Sequence, residues 1–255
     1  MFIHPTAIIS RKARIDEGCS IGAYTVIHDG VHLEKNTKVD EFCIIGKVSE
    51  SDSINCRIGS NSTIRSHSVI YNNVTIQSQI ETGHHIVIRE NSSIGHNLRI
   101  GNFSDIEGDC TIGDYNRFHG YVHVGKGTKI GNFTWLYSLS IATNDPLPPS
   151  HIHEPVVIED GCVICVGATL MPGSAMRLGS MIAANSRAIG ECNPGYLYKG
   201  DPAKPICPVA KLVHPRSKSK HPWMNHLSDR FPLEAQDRLQ SLLKSIKDIT
   251  LKQGA

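Results

Sequence analysis

No stretch of 18 apolar residues occurs in the chain, and Met1-Phe2-Ile3-His4-Pro5 is not a charged segment leading into an apolar one. Neither a membrane-spanning helix nor a secretory leader is expected, and a cytoplasmic location is. No sign of charge dominates: 26 Lys and Arg against 24 Asp and Glu leave a formal charge of +2 over 255 residues. Such a balance gives nucleic acid or a membrane surface nothing to attract it. The eight cysteines, at 19, 43, 56, 110, 162, 165, 192 and 207, are scattered rather than framed as disulfide pairs, so reduced thiols are expected. Cys162-x-x-Cys165 lacks the second ligand pair of a zinc or redox centre, and no metal is expected there.

What is present is a repeat of six. Ile3, Ile9, Ile15, Ile21, Ile27, Leu33, Val39 and Ile45 form one comb. After one extra residue it resumes at Ile58, Ile64, Ile70, Ile76, Thr82, Ile88, Ile94, Ile100, Ile106, Ile112, Phe118, Val124, Ile130 and Leu136, and it ends with Ile158, Ile164, Leu170, Met176, Ile182 and Ala188. Of these 28 positions 24 are Ile, Leu or Val, where random placement would fill about seven. A helix needs apolar spacing near 3.6 and an ordinary strand a spacing of two, so a sustained period of six describes a flat wall that turns after every hexad. Gly22, Gly46, Gly59, Gly95, Gly101, Gly113, Gly125 and Gly131 each follow a comb residue. Glycine there would take the backbone angle of the corner and keep side chains clear of the next coil.

Three walls of six close a triangular coil of 18 residues, with coils stacked about 4.8 Å apart and residue i beneath i+18. The expected fold is all-β, a parallel β-helix of about ten coils over residues 1–206, followed by a linker and a C-terminal α-helical extension in 207–255. Residues 46–57 carry the extra residue, read as a bulged corner. Residues 143–157 hold four prolines and must leave the wall as a loop, because proline cannot donate to a β ladder. A Pro/Gly-punctuated coda (193–205) and a polar linker (215–220) lead to residues 233–251, where Leu239, Leu242, Leu243, Ile246 and Ile249 fall at helical spacing behind Pro232. This helix is expected to cap the open end of the solenoid or to sit at a subunit contact.

The comb resembles that of the hexapeptide-repeat acyltransferases. Four segments narrow the resemblance: Ile64-Arg65-Ser66-His67-Ser68-Val69-Ile70-Tyr71, Thr82-Gly83-His84-His85-Ile86-Val87-Ile88-Arg89-Glu90, Thr143-Asn144-Asp145-Pro146 and Gly200-Asp201-Pro202-Ala203-Lys204. In that order they are similar to the N-acyltransferases that act on nucleotide-linked amino-deoxysugars in surface-glycan biosynthesis. The resemblance implies a left-handed coil, a homotrimer, and acetyl-coenzyme A or another acyl-coenzyme A lying in the groove between neighbouring prisms, with no metal required. It places the pantetheine arm along residues 161–173 and 179–189, where Gly167, Ala168, Ala183 and Ala184 let it approach the backbone, and it makes Lys199 and Lys204 candidates for the phosphates.

The resemblance also implies that Asn144 and Asp145 bind and orient the sugar amine. Holding that amine against the thioester carbonyl can supply most of the rate. His123 is the reserve base. On the 18-residue coil it precedes Asn144 by little more than one turn, about 5.6 Å along the axis, whereas His84 precedes it by about 16 Å and suits the nucleotide end. Arg89, Glu90 and Lys126 complete the expected substrate-binding set; some relatives carry an acidic residue at the last of these positions. Cys165 and Glu159 stand where the repeat usually has glycine, and an altered coenzyme channel would allow an acyl chain longer than acetyl.

Three other readings are weighed. A zinc enzyme of the γ-type carbonic anhydrase kind needs histidines two coils apart, but the positions 36 after His84 and His85 are Gly120 and Tyr121. Acylation of a sugar hydroxyl or lipid precursor needs a true base, and the His-x-x-His-Asp type of motif associated with it is missing. A non-catalytic scaffold would not bind coenzyme A.

Overall fold

The computed structural model describes residues 1–49, 55–218 and 228–252. Contacts divide the chain into two compact units, Met1–Thr128 and Lys129–Ala255. In the first unit, strands of two to four residues build three parallel walls. The first runs through Phe2–Ile3, Ser20–Ile21, Lys38–Val39, Thr63–Ile64, Glu81–Thr82, Arg99–Ile100 and Arg117–Phe118. The second runs through Ile8–Ile9, Val26–Ile27, Ile44–Lys47, Val69–Tyr71, Val87–Ile88, Asp105–Ile106 and His123–Val124. The third holds Arg14–Ile15, Val31–Leu33, Cys56–Ile58, Val74–Ile76, Ser93–Ile94 and Thr111–Ile112.

The parallel β-solenoid read from the period of six is what forms. From Ile21 onward the comb residues point inward and are almost fully buried, each isoleucine withdrawing a side chain worth about 1.5–3 kcal/mol from water. Ile3, on the first coil, has neighbours on one side only and stays 41% exposed.

The corners work differently from the expectation. Positive φ falls three residues after a comb residue, at Tyr24, Phe42, Asn61, His67, Asn73, His85, Asn91, Asn97, Phe103, Asp109 and Tyr121 among others. Two corners of the first unit show how like side chains stack from coil to coil. Tyr24, Phe42, His67, His85, Phe103 and Tyr121 form one ladder, with ring centroids 4.6–5.3 Å apart. Asn73, Asn91 and Asp109 form another, linked by side-chain hydrogen bonds. Most glycines after the comb have ordinary φ; their role is clearance. A Cβ on Gly22 would lie 2.5 Å from the Glu41 nitrogen, and one on Gly59 2.6 Å from the Ser78 nitrogen. Gly46, at φ +77°, is the exception.

The interruption at 46–57 is larger than a bulged corner. Lys38 pairs with Thr63 and Ile44 with Val69, a step of 25 residues where the coil needs 18. Seven residues more than a coil needs therefore stand between the paired strands, and because seven is one more than a hexad, the comb resumes only one place out of phase. There is a register shift beside Gly46 as well; residues 50–54 lie outside the described residues.

The second unit has three parallel walls of its own, through Lys129–Ile130, Val157–Ile158, Ala175–Met176 and Glu191–Cys192; Trp135–Leu136, Val163–Ile164, Met181–Ile182 and Tyr196–Gly200; and Ile141–Ala142, Thr169–Leu170 and Arg187–Ala188. The proline loop leaves after Ala142, but Val156 is already buried and Val157 already paired, so the wall resumes slightly earlier than expected. The coda is a strand pair: Tyr196–Gly200 turns back antiparallel on Ala203–Pro208 and ends the sheet. Glu159, one of the departures from glycine, is tied to the next coil by Arg177 at 2.9 Å and by the Leu178 N–H at 2.8 Å.

The helix, Gln236–Lys252, follows a 3₁₀ turn at Leu233–Ala235. It does not cap an open end. It lies along one corner of the second unit, where a Cβ on Gly161 or Gly179 would strike Ile246 and one on Gly195 would strike Thr250. A helical turn rises about 5.4 Å and a coil about 4.8 Å, so residues four apart meet successive coils. Leu242, Ile246 and Thr250 are the buried set at that spacing. The end of the expected linker, residues 219–220, lies outside the described residues.

Candidate active site

On a wall strand the residue before each comb position faces outward. The second wall of the first unit therefore carries Val87, Asp105 and His123 on its outer face, in direct register. His123 Nδ1 and Asp105 Oδ2 are 2.8 Å apart. Glu107 lies beside them, and the side-chain ligand atoms of Asp105, Glu107 and His123 are all within 4.8 Å of one another. A divalent cation could be held by that donor set, although Arg89, 3.9 Å from Glu107, opposes it. The hydrogen bond to Asp105 raises the His123 pKa against the opposing effect of burial.

Four of the expected residues meet on this surface. Arg89 pairs with Glu90 at 2.8 Å, reaches toward Glu107, and lies 5.6 Å from the centroid of the Tyr71 ring. Lys126 is 3.1 Å from Asp109, which also accepts from Asn91, and these contacts hold the Asp109 carboxyl below its ordinary value although burial pulls the other way. His84 stands apart, at the corner after the first wall, with Nδ1 2.8 Å from Ser66 Oγ and its backbone N–H donating to Asn102 Oδ1. His85 belongs to the aromatic ladder, stacked between His67 and Phe103. Among the described residues no three histidines come together as metal ligands.

The second unit holds the remainder. Asp145 pins the proline loop: its carboxylate accepts from the Leu147 N–H at 3.0 Å, the Ser150 N–H at 2.9 Å and the Ser150 hydroxyl at 2.6 Å. The Ser150 hydroxyl is the chief reason that its pKa is lowered. The Asn144 amide lies 3.5 Å from His153 Nδ1. Gly167 takes φ +67°, Ala168 is buried, Ala183 is half-buried and Ala184 is exposed. Lys199 and Lys204 face each other across the terminal strand pair. Cys162 and Cys165 are free thiols pushed up to about 12 and about 11 by burial.

Asp105, Glu107 and Asp109 are the residues that the sequence reading passed over. The signal was available, since Asp105 stands 18 places before His123 and a base needs a partner one coil away.

No protein-family model matches the chain. An acyl-[acyl-carrier-protein]–UDP-N-acetylglucosamine O-acyltransferase from a Psychrobacter species is 40% identical over 62 residues, 24% of this chain and 21% of that protein. The match thus spans about a fifth of the relative's length. Among solved structures, a UDP-N-acetylglucosamine acyltransferase from Arabidopsis superposes over 97% of this chain and 96% of its own, at a TM-score of 0.61 and 17% identity. The fold is a left-handed parallel β-helix, shared with that acyltransferase. An N-acyltransferase from Bacillus cereus, solved with dTDP and coenzyme A, covers 64% of this chain and 90% of its own at 21% identity, with a TM-score of 0.38. Among the described residues no helix is long and apolar enough to cross a membrane.

Proposed function

We propose that the chain is an acyltransferase that moves an acyl group from a pantetheine thioester to a nucleotide-linked sugar, with His123 as general base. The observation that carries this reading is the His123–Asp105 pair. With Nδ1–H donated to Asp105, the Nε2 lone pair is left facing outward to take a proton. His123 Nε2 removes the acceptor proton as the acceptor atom bonds to the thioester carbonyl carbon; the carbon–sulfur bond breaks, and the imidazolium returns the proton to the departing thiolate. Arg89 reaches toward Glu107 beside that base, and with Glu90 and Lys126 it would orient the acceptor. The resemblance assigns the donor to Gly167, Ala168, Ala183 and Ala184, with Lys199 and Lys204 on its phosphates, and assembly to a homotrimer.

A positioned base is what a hydroxyl acceptor requires, because an alcohol is far less acidic than an ammonium ion and cannot attack until its proton is taken. Transfer to a sugar oxygen is therefore the form of the reaction that this geometry favours. It agrees with the O-acyltransferase that shares the 62-residue match. A second form, N-acylation of an amino-deoxysugar, is supported by the half-buried Asn144 amide beside His153 at the head of the pinned loop.

Purified chain offered acyl-coenzyme A and acyl carrier protein thioesters, with UDP-, GDP- and dTDP-linked sugars bearing either a free amine or only hydroxyls, decides between the two by thiol release. Turnover on hydroxyl acceptors that His123→Ala abolishes supports the first form. Turnover confined to amines, and lost in Asn144→Ala, supports the second. Absence of turnover with every pair would end both.

A further inference from the structure

The first wall of the first unit carries a second polar cluster, separate from the base. Its outward column is Thr63, Glu81, Arg99 and Arg117, each residue in register with the next. Arg65, from the coil below Glu81, donates Nη2 to Glu81 Oε1 at 2.7 Å, and Arg99, from the coil above, pairs with the other oxygen of the same carboxylate. One carboxylate thus fixes two guanidiniums from different coils. All three side chains are about two-fifths exposed and border a cleft of about 300 Å³ over Gly83 and Gly101.

The balance of charge around the cleft is positive. Arg117 sits above Arg99 with its guanidinium buried against the carbonyl oxygens of Asn97 and Asn116. Lys38 and Asp40 lie on the coil below Arg65. Burial and then the Arg65 charge lower the Arg99 pKa, and burial and then the Arg99 charge lower that of Arg117. Stacked like charges are costly, and an incoming anion relieves that cost. A guanidinium carries five N–H donors in a planar fork that matches phosphate oxygens. Among the described residues Arg65 and Arg99 each pair with Glu81 through a terminal nitrogen, and both side chains line the cleft. A cleft of that size can seat two phosphoryl groups, with the rest of a larger ligand lying outside it.

We propose that Arg65 and Arg99, held apart by Glu81, bind a diphosphate. Two ligands of the proposed reaction carry that group, a nucleoside-diphosphate sugar and coenzyme A, so the assignment to a substrate rests on the acyl-transfer reading, whereas the binding itself does not. Glu81 is then a positioning residue that also competes with the ligand. The geometry explains why one acidic residue stands between Arg65 and Arg99.

The test titrates the full chain with inorganic pyrophosphate, UDP and desulfo-coenzyme A by calorimetry. Pyrophosphate should bind; Arg65→Gln and Arg99→Gln should each weaken it about tenfold or more, with unchanged circular dichroism. Glu81→Gln should tighten it, because a competing charge is removed, and this variant keeps the test decisive where an arginine variant fails to fold. Competition between UDP and pyrophosphate assigns the site to the acceptor, and competition by desulfo-coenzyme A to the donor. Equal affinity in wild type and both arginine variants, or weaker binding in Glu81→Gln, overturns the proposal. His123→Ala should bind pyrophosphate as wild type does; if the wild-type chain binds diphosphate but turns over no acceptor, only the acyl-transfer reading has failed.

Discussion

His123 and Asp105 stand on paired strands of one wall, 18 residues apart in sequence, with Nδ1 and Oδ2 separated by 2.8 Å. The coil period alone makes them neighbours. Asp105→Asn should keep the hydrogen-bonding shape but lose the charge that orients and supports the imidazole, lowering kcat about a hundredfold or more. Steady-state kinetics on the acceptor identified as above measures it, and a full-rate Asp105→Asn enzyme would dismiss the dyad.

The same pair sets two opposite pH trends. The His123 pKa is raised in the folded chain, first by its hydrogen bond to Asp105. Its contribution to stability is therefore complete below the ordinary histidine value, about 6.5, and is lost as pH rises through the higher folded value. Catalysis needs the neutral ring, so activity should climb over that same interval. The acidic limb of kcat/KM should lie above the ordinary histidine value in wild type and move down in Asp105→Asn. A limb at the same pH in both proteins would show that His123 is not the titrating base.

Clearance between coils predicts a contrast between two glycines. A Cβ on Gly59 would lie 2.6 Å from backbone atoms of Gln77 and Ser78, while Gly190, at φ +73°, has nothing within 4 Å. Gly59→Ala should force coils apart and cost about 1–3 kcal/mol. Gly190→Ala should cost only the left-handed backbone term, about 1–2 kcal/mol. Urea unfolding of both variants gives the order, and a larger loss at Gly190 would contradict it.

Ile246 is fully buried where the helix meets Gly161 and Gly179. Ile246→Ala should cost about 2–5 kcal/mol as a core truncation. Its effect should be local, because each coil depends chiefly on its neighbours. Hydrogen exchange should accelerate in the helix and around residues 161–179 while leaving residues 87–106 protected. Uniform acceleration would mean that the helix supports the whole chain.

Buried thiols should be inert. Burial pushes Cys56 and Cys162 up to about 12, and alkylation proceeds through the thiolate. Iodoacetamide at about pH 8 should leave both unmodified in the native chain, with peptide mass mapping as the readout. Rapid labelling of Cys162 would reopen the redox reading of Cys162-x-x-Cys165.

The walls were legible in the sequence because burial is a local and repeated demand. Every sixth residue must be apolar or the interior fails, so Ile64, Ile70 and Ile76 declare three walls without any knowledge of contacts. The insertion near residue 50 was misjudged for the same reason: periodicity reports phase modulo six, and seven extra residues look like one. The glycines after the comb were recognised, but clearance and backbone angle cannot be separated in sequence, and only the paired coils show that most serve clearance.

What the amino-acid order determined by itself was the period, hence the inward column and the stacked parallel strands. The tertiary structure decided which outward residues meet: Asp105 beneath His123, Glu81 between Arg65 and Arg99, Asp145 on Ser150, and the helix along a glycine corner rather than over an end. Outward side chains carry no periodic requirement, so their partners follow from the register between coils and from where each insertion leaves the wall, and both are set only when the chain has folded.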